Sequence, residues 1–96
     1  MTGDLFGTEP WPPQHGVDGR AAARYAATME LVDRVVGALA TRSNSAPPES
    51  AEARRAGAAL DEWAAVRAGL GPQDGAAVER VRAAALALLR GEAGRP

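Results

Sequence analysis

Apolar residues recur at steps of three and four along three stretches of the chain, and clusters of Pro, Gly and Ser separate the stretches. In the first, Tyr25, Met29, Val32, Val36 and Leu39 keep the four–three alternation of one helix face. Asp18 is a suitable N-cap, so the spacing predicts a helix from Asp18 to about Thr41. Glu30 and Arg34 form a supporting i,i+4 pair off the stripe. Gly37 interrupts an otherwise favourable helix at a cost of roughly 1 kcal/mol relative to Ala, and is expected to mark a close helix crossing.

"RSNSAPPES" breaks that pattern, because a residue that precedes proline is biased away from helical dihedrals. A second helix is expected from Pro48 or Ser50 to about Gly69, with Ala56, Leu60, Trp63, Val66 and Leu70 as its stripe. "GLGPQDG" should end it, with Gly69 and Gly71 offering a left-handed cap and Pro72 preventing continuation. The third helix opens near Pro72 or Asp74, ends at Gly91 and carries Val78, Val81, Ala85, Leu88 and Leu89. No run alternates as a strand would.

Three amphipathic helices joined by short breaks predict an all-α fold, an antiparallel three-helix bundle over residues 18–91. Its expected core is Tyr25, Met29, Val32, Val36, Leu39, Leu60, Trp63, Val66, Val78, Val81, Leu88 and Leu89. An extended Pro/Gly-rich N-terminal arm, residues 1–17, precedes the bundle, and residues 92–96 should fray.

Composition sharpens this picture at two points. Of the 46% of residues that are hydrophobic, just over half are Ala, and Ile is absent, so close packing of small side chains must carry part of the core. The arm "LFGTEPWPPQHG" holds the only Phe and one of the two Trp in a segment whose prolines exclude a helix. Leu5, Phe6 and Trp11 therefore have two available roles. They fold back to plug a groove between Ala-rich helices, or they dock into a partner or sister subunit, for which Pro10-Trp11-Pro12-Pro13 has polyproline-ligand spacing.

The chemistry on offer is sparse. With no Cys there is no thiolate, disulfide or Cys-based metal site, and with no Lys there is no Schiff base. His15 is the only histidine, and Asp61 and Glu62 are adjacent on a helix and point apart. No catalytic, cofactor-binding or metal-ligating residue is assigned, and the chain is expected not to be an enzyme. A formal net charge of −1, with arginines interleaved among acids, supplies no basic face, so nucleic acid is not the expected partner. No apolar run has the length to span a bilayer, and the N-terminus lacks a secretory pattern. The all-Arg, Ala-rich composition points to a GC-rich bacterial source, and the cytoplasm is the expected compartment.

Two further positions stand out. Arg67 falls inside the apolar arc of the second helix, where it would pack its stem or pair with an acid of another helix or subunit. Leu31 and Val35 project with Ala27 and Ala38 onto the opposite side of the first helix from its stripe, as a second contact surface. The expected function is a non-catalytic accessory or adaptor protein that binds a partner protein, or a second copy, through its bundle surface and arm. The alternatives are a small helical DNA-binding regulator and an accessory subunit completing a partner enzyme's site.

Overall fold

The computed structural model describes residues 19–94. The arm, with Leu5, Phe6 and Trp11, lies outside the described residues. The chain forms α1 (Gly19–Ser45), α2 (Ala51–Gly69) and α3 (Gly75–Ala93), with no strand among the described residues.

The helix limits follow local chemistry. α1 continues past Thr41 because nothing in Arg42-Ser43-Asn44-Ser45 forbids it; the stop is set by Pro47 and Pro48, and the Ala46 N–H still donates to the Arg42 carbonyl at 3.1 Å. Ser50 caps α2: its Oγ accepts from the Ala53 N–H at 3.1 Å while its own hydroxyl donates to the Pro47 carbonyl at 2.7 Å. Asp74 caps α3 by accepting from the Ala77 N–H at 3.0 Å. The end of α2 departs from expectation. Leu70 turns to an extended conformation (φ −77°, ψ 129°), and no glycine supplies a left-handed cap. That turn keeps the Leu70 side chain partly buried, which a helical continuation into Pro72 would prevent. α3 runs through Gly91 to Ala93, so Glu92 belongs to the helix rather than to a frayed tail.

Cross-helix pairs fix the topology. Arg24 with Glu79 joins the second turns of α1 and α3, and Arg42 with Glu92 joins their last turns, so these helices run parallel. Arg67, near the end of α2, meets Asp33 of α1, while Arg55 and Ala56, near its start, lie beside Leu39 and Arg42. α2 is thus antiparallel to both, giving an up–down–up bundle. α1 packs against α2 and against α3, but no Cα of α2 comes within 8 Å of one in α3. The longest helix is a spine with two flanking helices held apart.

The core reflects that arrangement. Val32, Val35, Leu39, Ala56, Val78 and Ala85 are buried, together with Thr28. Leu31, Ala59, Leu60, Trp63, Leu88 and Leu89 pack against it, partly exposed. On α1 the seam is Thr28, Val32, Val35, Leu39, rotated about 50° from the expected stripe at 100° per residue. Tyr25, Met29 and Val36 sit half-buried at one margin. The reason is physical: a helix covered on two sides needs a wide apolar arc, and the arc's centre lies between its two apolar stripes. Gly37 is exposed and an added Cβ would meet nothing within 4 Å, so it does not mark a close crossing.

Thr28 has no exposure, and its Oγ1 has no hydrogen-bond partner. Burying a hydroxyl without a partner is unfavourable, and valine has nearly the same shape. Thr28→Val is therefore expected to raise the unfolding free energy by about 1 kcal/mol in urea denaturation. A loss of similar size would show that the hydroxyl is bonded in solution.

Candidate interaction surface

Sequence reasoning singled out six side chains, and the structure treats them differently. Leu5, Phe6 and Trp11 fall outside the described residues. Val35 is corrected: it is 0% exposed, at the centre of the core, and presents no contact surface. Leu31 packs beside it and keeps only part of its surface. The patch expected on the polar side of α1 is divided: Val35 and Leu31 pack into the core, while Ala27 stays exposed. It looked like a second surface because the reading assumed a single buried face for α1.

Arg67 pairs with an acid of another helix of the same chain, but at the surface rather than partly buried. Its Nε donates to Asp33 Oδ1 at 2.6 Å, bridging α2 to α1. The hydrogen bond to Asp33, and then the carboxylate's charge, hold the guanidinium pKa above its usual value. Both side chains are more than half exposed, so the pair sets helix register at the surface rather than anchoring a core.

The surface that the structure itself brings together lies between α2 and α3. Because these helices do not close on each other, two concavities open along their seam. One, of about 280 Å³, is lined by Trp63, Val66, Val81 and Ala84, with Glu62 and Arg80 also contributing. The other, of about 380 Å³, lies further along and includes Ala59, Ala87, Leu88 and the floor residues Leu39 and Arg42. Trp63, Val66 and Val81 were expected in the closed core; each is instead partly exposed. Ala56, Ala59, Ala84 and Ala87 are spread along this seam, and Ala cannot bridge two helices at full separation.

A third concavity flanks α1 and α3, lined by Arg20, Ala23, Arg24, Ala27, Glu79 and Arg82. Arg24 pairs with Glu79 at 3.6 Å, and three arginines surround that single acid. This gives a local basic patch beside the first turn of α1.

Among the described residues no group of three or more His, Cys, Asp or Glu could hold a metal ion, and no helix is long and apolar enough to cross a membrane. What the surface offers chemically is apolar area next to small side chains, rimmed by mixed charge. Comparison of the chain with protein-family models, with curated proteins and with solved structures gives no match.

Proposed function

We propose that this chain is a non-catalytic accessory or adaptor protein of the bacterial cytoplasm, acting by binding a partner protein along the seam between α2 and α3. The observation that carries the reading is the open seam itself: a partly exposed Trp63 flanked by Val66 and Val81, with Ala84 leaving room for an incoming side chain or helix. Tryptophan supplies large contact area with little conformational freedom to lose, and small neighbours admit close approach.

Ala84 is exposed and makes no part of the buried core, so it is the place to test this. The immobilised full-length chain should retain a partner in fixed stoichiometry. Ala84→Glu should lose that partner with its helix content and unfolding midpoint unchanged. Equal retention by both chains overturns the reading. So does sequence-selective DNA binding at physiological salt in a mobility-shift titration, which would favour the regulator instead.

A further inference from the structure

We propose that the α2–α3 seam is covered within the same chain by the N-terminal arm, with Trp11 seated against Trp63, Val66 and Val81. The inference rests on the reading of that seam as a contact surface, and it names the segment that guards it.

Reach is the first argument. The Arg24–Glu79 pair puts the start of α1 beside the start of α3, so the arm leaves the bundle at the end where the Trp63–Val81 concavity lies. Val81 and Ala84 stand six and nine residues beyond Gly75, about 9 and 14 Å along α3. Trp11 precedes Gly19 by eight residues, which span up to about 26 Å when extended. The tether reaches the concavity with slack to turn, and Phe6 reaches further along the same seam.

Charge is the second. Residues 1–18 contain Asp4, Glu9 and Asp18 and no arginine, whereas all eleven arginines follow, against nine acids. The arm's root is flanked in the α1–α3 groove by Arg20, Arg24 and Arg82 around Glu79, and separately Arg80 stands at the edge of the concavity, with Glu62 on its α2 side. An acidic segment leaving Gly19 meets favourable potential at its root and again at the Arg80 edge of the seam. Chemistry is the third. The arm carries the bulky apolar side chains that the Ala-rich flanks lack, and Pro10, Pro12 and Pro13 reduce the entropy lost when Trp11 is fixed. A partner protein must then displace the arm, which makes the arm a competitor for the seam and sets an affinity threshold.

Nuclear Overhauser contacts on the full-length protein test this. The Trp11 indole should show contacts to the Val66 and Val81 methyl groups in a uniformly labelled sample. They should vanish from the isotope-filtered spectrum of a mixed labelled and unlabelled sample, and also in the Ala84→Glu chain. No contact from Trp11 to the seam overturns the proposal, while leaving partner capture as a separate result. Contacts that survive the isotope filter overturn it as well, since they would seat the arm of a second copy there.

Discussion

Leu39→Ala is expected to lower the unfolding free energy by about 2–5 kcal/mol, the range for truncating a buried leucine. Leu39 is 2% exposed and forms one buried cluster with Val35 and Ala85, so the void it leaves has walls from all three helices' side chains. Collapse into that void would require α2 and α3 to move together over α1. Stability of a domain this size is on the order of 5–15 kcal/mol, and among the described residues six apolar side chains are buried, two of them Ala. The loss therefore removes a large fraction of the total. Val36→Ala is the internal control. Val36 belongs to the regular stripe read from the sequence but is only half-buried, so its truncation should cost about 1 kcal/mol. Urea denaturation with the slope held common to all three chains gives both numbers. Equal losses at Leu39 and Val36 would place the seam of α1 where the sequence stripe has it, and not where the structure does.

That contrast shows what could be read from the sequence and what could not. The three helices, their starts to within Pro48 or Ser50 and Pro72 or Asp74, and the breaks at Pro47 and Pro72 are local properties, set by residues within one turn of the feature. They were legible. Arg67 was readable only as a choice between a packed stem and a partly buried pair with another helix, and the structure gives an exposed pair with Asp33. The rotation of the α1 seam was not legible, because it depends on how many helices cover α1 and on which sides. Val35 and Leu31 looked like a surface patch only while α1 was assumed to have one buried face. Trp63, Val66 and Val81 illustrate the converse error. Their spacing is that of core positions, yet whether such positions close depends on the separation of α2 and α3, and a periodic pattern carries no information about separation. Side chains that are partly exposed along the seam were therefore assigned to the interior, and an interior valine was assigned to the surface.

The second large effect is expected at Glu92. Its carboxylate pairs with the Arg42 guanidinium where the ends of α1 and α3 meet, with side chains 21% and 25% exposed. The Arg42 Nε is buried and has no other hydrogen-bond partner, so this carboxylate is what compensates the guanidinium. Glu92→Ala leaves a charge three-quarters withdrawn from water without its partner, which should cost about 1–3 kcal/mol. The cost falls below that of breaking a fully buried pair because water still reaches the edge of the site. It is also offset in part, by about 0.3–1 kcal/mol, since an acid in the last turn of α3 opposes the helix dipole. Removing both charges together, as Arg42→Met with Glu92→Leu, should restore most of the loss, because no charge is then left uncompensated. Glu79→Ala provides the comparison. Its pair with Arg24 joins the same two helices, but both side chains are about half exposed, and solvent replaces what the pair supplies. A Glu92→Ala midpoint indistinguishable from that of Glu79→Ala would mean that the Arg42 guanidinium is solvated in the folded protein, and that the junction of α1 and α3 is held by Leu88, Leu89 and their neighbours alone.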